Sequence, residues 1–386
     1  MAESRKSCIA SLRKAFSQKN LTLYLGAGVS VGNGLPTWER LVLAMYFAAI
    51  SVHKMRGWRP FPNYLFAIAE WHMKRGHEPL EITARKLKKY FSTPDDFLHR
   101  LRNTLYQGFM HSDGETLQRI GGSALREANA TLDAVAQLCE GGGATGHGAS
   151  AVISYNYDSL LETALRNCPN QPIFGEAVVD ASKLPIYHVH GYVPIEAGEG
   201  SSAEEIVFTE DQYHRTAQDV YSWGNLVQIQ AMARSVGLMV GLSMSDRNMR
   251  RLLDAIAKAP IGTRNYALLQ RREWSPASYE EIDEIQEKAL EYFDRFERSG
   301  VKSDSRARNK VLARTPGTKS ASPLPKTGAG VKGEARYRRE IRGILGEIER
   351  FDTEEQEFVL DQLGITPIWY QDHAEIPRIV EKIIGN

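Results

Sequence analysis

Four short polar clusters in this chain contain residue types that could recognise a ribose and move a proton. The clusters are residues 26–30, Asn156 with Asp158, His190 with Gly191, and residues 241–246. A histidine titrates near neutral pH and can act as a general base. Asn156 offers both a donor and an acceptor, and an ionised Asp158 offers only acceptors, which suits the hydroxyls of a ribose and a nearby water.

Each cluster directly follows an apolar run that is short enough to be a buried strand. These runs are Leu21–Leu25, 151–154, 186–189 and 235–241. Further strand candidates are 205–208, 266–270 and 365–369. Because helix-like segments alternate with the strands, we expect an α/β fold with a parallel, doubly wound sheet. Ligands bind outside the carboxyl ends of such strands, so the four clusters should meet there.

The first cluster opens a glycine-rich loop between a strand and a helix-like segment. Small residues let the backbone turn sharply and approach a ligand, and a following helix N-terminus favours an anion such as a pyrophosphate. The loop matches neither G-x-G-x-x-G nor a P-loop, so a turn that binds nothing is the alternative. The candidate dinucleotide contacts in this segment are Gly26, Ala27, Gly28, Ser30, Thr37 and Trp38.

The other clusters each have a structural alternative. Asn156 could be an ordinary turn residue, and Asp246 could be a helix cap, because Asn and Asp favour both positions. His190 could be a hydrogen-bonded core histidine. Ser243 could instead bind a phosphate or ribose oxygen, and Gly191 would let a ligand approach His190 closely.

The sequence pattern divides the chain into a sheet-forming core and three other segments. The predicted core comprises residues 1–37, 146–272 and 341–386, with a helical insertion at 38–145 and a charged helix at 273–300. Residues 301–340 are rich in Ser, Pro, Gly and basic residues, which predicts a flexible basic linker. This linker could be a solvated loop, or it could contact DNA or an acidic partner.

Composition argues against several classes of protein. The 48 basic and 47 acidic residues leave a formal charge of +1, so bulk charge indicates neither nucleic-acid nor membrane binding. No apolar run approaches the ~20 residues of a membrane span, and the N-terminus has no signal-peptide pattern, so we expect a cytoplasmic protein. Cys8, Cys139 and Cys168 form no C-x-x-C pair, so we expect no zinc or other metal site.

Four motifs in this order, GAGVS…GLPTW, ISYNYDSLLE, YHVHG and VGLSMSDRNMR, resemble the sirtuin-like NAD-binding family. The branch they resemble most acts in bacterial anti-phage defence. The resemblance implies a Rossmann-like core, a catalytic pair formed by Asn156 and His190, and a ribose-side role for Asp158. The residues that it implies in dinucleotide binding are Gly26, Ala27, Gly28, Ser30, Gly241 and Ser243. Gly191 and Asp246 in the clusters, and Thr37 and Trp38 at the end of the GLPTW motif, are further candidate contacts.

The chain differs from sirtuin protein deacylases, because it lacks their four-cysteine zinc module and has Tyr155-Asn156 where they have Gln-Asn. The resemblance therefore implies an NAD+ glycohydrolase that releases nicotinamide and ADP-ribose and depletes NAD+ during abortive infection. It also implies a homo-oligomer and a HerA-type hexameric ATPase partner. The alternatives are a sensor or scaffold that binds NAD or ADP-ribose without turnover, and a protein deacylase.

Overall fold

The computed structural model has a seven-stranded, all-parallel sheet at its centre. The strands are β1 (Leu21–Leu25), β2 (Ala149–Ser154), β3 (Asn170–Ile173), β4 (Leu184–His188), β5 (Val236–Val240), β6 (Asn265–Gln270) and β7 (Ile365–Tyr370). Their order across the sheet is β3-β4-β2-β1-β5-β6-β7. The structure describes residues 4–54, 79–110, 121–141, 146–165, 168–196, 199–259, 264–271 and 328–385.

The predicted fold class is confirmed, and two individual strand predictions differ from the structure. β3 was not predicted, because Pro172 within it is a residue that sheets accept only at edges, where β3 indeed lies. Residues 205–208 do not form the predicted strand. Instead, Val207 N donates to the His190 carbonyl at 2.9 Å, so this segment packs on the turn after β4.

Helices cover both faces of the sheet. Those of the first compact unit are α1 (Arg5–Ser17), α2 (Trp38–Lys54), α3 (Leu80–Leu87), α4 (Pro94–Leu105), α5 (Gly122–Ala128), α6 (Ala130–Cys139), α7 (Leu160–Ala164), α8 (Glu210–Gln218), α9 (Trp223–Arg234), α10 (Arg247–Ala257) and α12 (Glu375–Ile384). α1, α6 and α12 pack together over the face that carries Leu21, Leu23 and Leu25. α9 and α10 pack together over the other face, beside β4 and β5. The strands between these layers are buried on both sides, as parallel strands usually are.

In its described residues, the connection between β1 and β2 contains helices α2 to α6 and short 3-10 turns. Apolar residues at helical spacing bury one side of these helices, as on α4, where Phe97, Leu101 and Leu105 are buried. Thr93 caps α4 by accepting a hydrogen bond from Asp96 N at 3.1 Å. No helix in the described ranges has both the length and the apolar character that a bilayer crossing requires.

The chain divides into two compact units, residues 1–271 with 360–386, and residues 272–359. The described part of the second unit belongs to one helix, α11 (Gly328–Gln362). α11 includes residues 328–340, which the sequence predicts as linker, because the Arg- and Glu-rich run there consists largely of good helix formers. The predicted charged helix at 273–300 and residues 301–327 lie outside the described residues. The domain boundaries stay a prediction.

Candidate functional site

The strand order brings the four polar clusters to neighbouring positions. β1 pairs with β2 on one side and with β5 on the other, and β2 pairs with β4. The clusters therefore follow four adjacent strands at their carboxyl ends. The chain reverses its direction of winding between β1 and β5, and such a switch point is where open α/β sheets bind ligands.

Three glycines hold the turns after β1 and β5 in direct backbone contact. Gly28 N donates to the Gly241 carbonyl at 3.0 Å, and Gly26 N donates to the Val240 carbonyl at 3.0 Å. A Cβ on Gly26 would lie 2.5 Å from the Gly241 oxygen, and a Cβ on Gly28 would lie 2.7 Å from the Gly241 Cα. These glycines are thus required by contact between the two turns, independently of any ligand.

Asn156 is half-buried and lies in a polar cluster with two buried residues that the sequence also predicts. Its Nδ2 donates to the Gly26 carbonyl at 3.0 Å and to Ser30 Oγ at 3.4 Å. Ser30 Oγ in turn donates to Asp158 Oδ2 at 2.8 Å, while Asp158 Oδ1 accepts from Leu160 N at 3.1 Å. Two neighbouring strand ends therefore contribute to one hydrogen-bonded set.

Burial raises the pKa of Asp158 from its usual value of 3.8 to about 6, although the hydrogen bonds from Leu160 and Ser30 act to lower it. Desolvation penalises the charged form of a carboxyl group, and two hydrogen bonds only partly compensate. A buried carboxyl group with so raised a pKa, at the end of a strand, is typical of a functional site.

We expect the stability of the protein to fall as pH rises from about 4 to 6, in part because of Asp158. The folded state then holds a proton that the unfolded state has released, so the slope of unfolding free energy against pH is negative. The shift of about two units corresponds to about 3 kcal/mol. Asp158→Asn should remove this loss, as measured by urea unfolding at pH 4 and pH 7. Asp254→Asn, at an exposed position on α10, is the control. An unchanged pH dependence in Asp158→Asn would contradict the prediction.

His190 lies in a second buried cluster. Its Nε2 is 3.5 Å from Asp246 Oδ2, and its ring makes edge contacts with the rings of Tyr155 and Tyr213. Burial lowers the pKa of His190, against the opposing effect of the Asp246 charge. The imidazole is therefore neutral near pH 7 and able to accept a proton. Asp246 also caps α10 by accepting from Met249 N at 2.7 Å, so it serves as a cap and as the partner of His190.

The catalytic pair that the resemblance implies is split between these clusters. Among the described residues, no hydrogen bond or ion pair joins Asn156 to His190. Tyr155 directly precedes Asn156, but its ring makes an edge contact with the His190 ring and its hydroxyl donates to Gln228 Oε1 at 2.5 Å. A ligand that uses both residues must therefore extend across the end of β2.

The remaining predicted residues lie at the rim of the site or hold its turns. Gly191 has φ +103°, and a Cβ there would lie 2.6 Å from Ile206 Cδ1, so the turn requires glycine. Ser243 is exposed, and its Oγ is 2.6 Å from Ser245 Oγ. Ala27 belongs to a 3-10 turn after β1. Thr37 Oγ1 accepts from Arg40 N at 3.4 Å at the start of α2, where Trp38 packs against the core.

Two cavities border the site. The smaller one is about 10 Å³, enough for about one water, and lies beside Ser30, Asn156 and Asp158. The larger one is about 140 Å³ and lies between the turn after β4 and helices α8 and α9. His188 lines both cavities.

The sequence patterns did not single out His188 and Glu162. His188 Nε2 is 2.6 Å from Glu162 Oε1, and its Nδ1 is 3.0 Å from the Asn156 carbonyl oxygen. The available signal was the first histidine in YHVHG, two residues before His190. Nothing in the sequence indicates that its partner is a glutamate on α7.

Metal binding stays a matter of prediction. Within the described ranges, no group of three or more His, Cys, Asp or Glu residues could hold a metal ion. Cys8 and Cys139 are buried, Cys168 is half-buried, and none of the three forms a disulfide.

Comparison with known families supports the sirtuin-like resemblance. Residues 150–293 match the family model described as a SIR2-like domain. This stretch contains Asn156, Asp158, His190, Gly241 and Asp246, but not the glycine turn after β1. No curated protein matches the chain. SIR2-like domains are commonly NAD-dependent enzymes, so the matched domain indicates NAD-related chemistry for the site just described.

Proposed function

We propose that the protein is an NAD+ glycohydrolase that converts NAD+ and water to nicotinamide and ADP-ribose. The observation that carries the proposal is the hydrogen-bonded set of buried Ser30, buried Asp158 and half-buried Asn156 at the ends of β1 and β2. It is one strand away from the pair formed by buried His190 and partly buried Asp246. Both polar pairs that follow β2 and β4 lie within the SIR2-like match.

The surroundings of Asn156, Asp158 and His190 suit three different roles in the cleavage of NAD+. Cleavage of the nicotinamide–ribose bond builds positive charge on the ribose C1 carbon, which groups fixed in a low-dielectric site can stabilise. The Asn156 amide would orient the ribose or the attacking water, and Asp158 would accept hydrogen bonds from ribose hydroxyls. His190 would take a proton from the water or from a ribose hydroxyl, since burial keeps its imidazole neutral.

The small cavity beside Asn156 bears on how the substrate enters. A volume of about 10 Å³ is far too small for a ribose, and Asn156 Nδ2 already donates to Gly26 and Ser30. Direct contact of NAD+ with this amide would therefore require it to exchange its hydrogen bonds with Gly26 and Ser30 for bonds to the substrate. This requirement suits an enzyme whose activity is switched on by a trigger.

The test is to incubate purified protein with NAD+, with and without an acyl-lysine peptide, and to resolve the products by chromatography. We expect nicotinamide and ADP-ribose in both cases, and Asn156→Ala should reduce their formation ~10²-fold or more, since a misplaced substrate alone costs that much. Asn170→Ala, on the edge strand β3, is the control. Products that need the peptide would favour a deacylase instead. Binding of NAD+ without products would favour the alternative of a non-catalytic sensor or scaffold.

We further propose the cellular role that the resemblance implies. NAD+ depletion would serve anti-phage defence by abortive infection in the cytoplasm. The protein would act as a homo-oligomer with a HerA-type hexameric ATPase as partner, and residues 301–340 could contact DNA. These proposals are supported only by the likeness of the four motifs to that branch of the sirtuin-like family.

A further inference from the structure

His188 and Glu162 form a buried pair directly beneath Asn156. The side chain of His188 is 1% exposed and that of Glu162 is 10% exposed, with 2.6 Å between Nε2 and Oε1. Burial by itself would lower the pKa of His188, but the Glu162 carboxylate and the hydrogen bonds outweigh it, so the pKa is raised. The pair does not belong to the set that we expect to touch NAD+.

The hydrogen bonds of His188 assign a proton to Nδ1. A backbone carbonyl oxygen can only accept, so the 3.0 Å contact between Nδ1 and the Asn156 oxygen requires an N–H on Nδ1. Glu162 lies against the opposite ring nitrogen and holds the ring in this orientation. The Glu162 carboxylate also only accepts, so Nε2 carries a proton as well, and the ring is an imidazolium held between two acceptors, in line with its raised pKa.

This contact replaces a missing rung of the sheet. β2 and β4 run parallel with Ser154 opposite His188, and Val189 N donates to the Ser154 carbonyl at 3.1 Å. Continuing that ladder would pair Gly191 N with the Asn156 carbonyl, because parallel rungs recur every two residues. Instead, Gly191 N turns back and donates to the His188 carbonyl at 3.2 Å. The Asn156 carbonyl is thus left to the His188 side chain, with a longer 3.4 Å contact from Ser154 Oγ.

We propose that His188, held by Glu162, is a positioning residue that fixes the Asn156 peptide and so aims the Asn156 amide into the site. The inference rests on the proposed function for its catalytic consequence, while the structural part stands without it. Without the Nδ1 donor, the carbonyl loses its main partner, and a buried carbonyl left unpaired costs enough to rotate the peptide. Rotation of that peptide would move the Asn156 side chain away from Gly26 and Ser30.

The experiment compares two isosteric replacements that differ only in which ring nitrogen they imitate. The amide of His188→Asn reaches the position of Nδ1, whereas the amide of His188→Gln reaches that of Nε2. Both changes are made in a Glu162→Gln background, so that neither leaves a buried carboxylate without its partner. Relative to Glu162→Gln alone, we expect His188→Asn to keep kcat within a few-fold and His188→Gln to lose about 100-fold. Their thermal stabilities should be similar. Equal losses of kcat in the two variants, or no loss in either, would overturn the proposal.

Crystal structures of the two variants separate this proposal from the proposed function. The distance from Asn156 Nδ2 to the Gly26 oxygen, now 3.0 Å, should persist with His188→Asn and lengthen with His188→Gln. An unmoved Asn156 in both structures overturns the positioning role, whatever the turnover. If the unsubstituted protein releases no nicotinamide, the proposed function fails, and the two structures still decide the role of His188. If the glutamine variant does not fold, His188→Ala in the same background replaces it.

Discussion

Replacing His190 with alanine is expected to reduce NAD+ cleavage by ~10²–10⁴-fold, the usual cost of removing a positioned general base. The expectation follows from the surroundings of the ring. Its Nε2 is 3.5 Å from Asp246 Oδ2, and the residue is 5% exposed, so the imidazole is both oriented and shielded from water. The measurement is the initial rate of nicotinamide release by chromatography, with circular dichroism to confirm folding.

Two further variants make the test of His190 specific. His214→Ala removes an exposed histidine from α8 and should leave the rate unchanged. Asp246→Asn can still accept the cap hydrogen bond from Met249 N and should reduce the rate less than the loss of His190 does. A folded His190→Ala protein with near-normal turnover would remove His190 from the catalytic assignment, and so would an equal loss in His214→Ala.

Gly241→Ala is expected to have the largest effect on stability, lowering the unfolding free energy by about 2–5 kcal/mol. Gly241 has φ +68°, and a Cβ there would lie 2.6 Å from Val29 N and 2.9 Å from Gly28 C, both of them backbone atoms. Left-handed backbone costs a non-glycine residue about 1–2 kcal/mol, and overpacking a tight contact costs a further 1–3 kcal/mol. The turns after β1 and β5 would have to separate.

Gly34→Ala is the matched control for this prediction. Gly34 has a similar φ of +87°, but nothing lies within 4 Å of the position a Cβ would take. Its replacement should therefore cost only the backbone part, about 1–2 kcal/mol. Urea unfolding of both variants measures the loss of unfolding free energy that each replacement causes. If the two losses are equal, the contact between the turns contributes nothing, and the glycines must be explained by a ligand alone.

The fold class was predictable because its signals are local. Leu21–Leu25 is a short apolar run bounded by glycine, and all five of its residues are buried in the central strand. The strand predicted at 365–369 differs from β7 (Ile365–Tyr370) by one residue. The prediction was this accurate because the strand is an apolar run with a glycine directly before it. β3 escaped prediction because its four residues, Asn170–Ile173, include two amides and a proline, and only the pairing with β4 makes it a strand.

The candidate site was predictable only as a set of residues. Asn156, Asp158 and His190 stand out because each follows an apolar run, and parallel strands bring such positions together. Their roles in catalysis stay predictions. The pairing of Asp246 with His190 could not be anticipated, because the two follow strands β5 and β4, which β2 and β1 separate in the sheet.

The sequence by itself determined the alternation of strands and helices, the glycine turn and the polar residues at four strand ends, since all of these depend on near neighbours in the chain. Tertiary structure alone decided which partners these residues meet. It set Gly26 and Gly28 against Gly241, it gave Asp158 a raised pKa through burial, and it placed His188 Nδ1 on the Asn156 carbonyl. The physical reason is that desolvation and hydrogen bonding act over a few ångströms between residues far apart in sequence, where no local pattern records them.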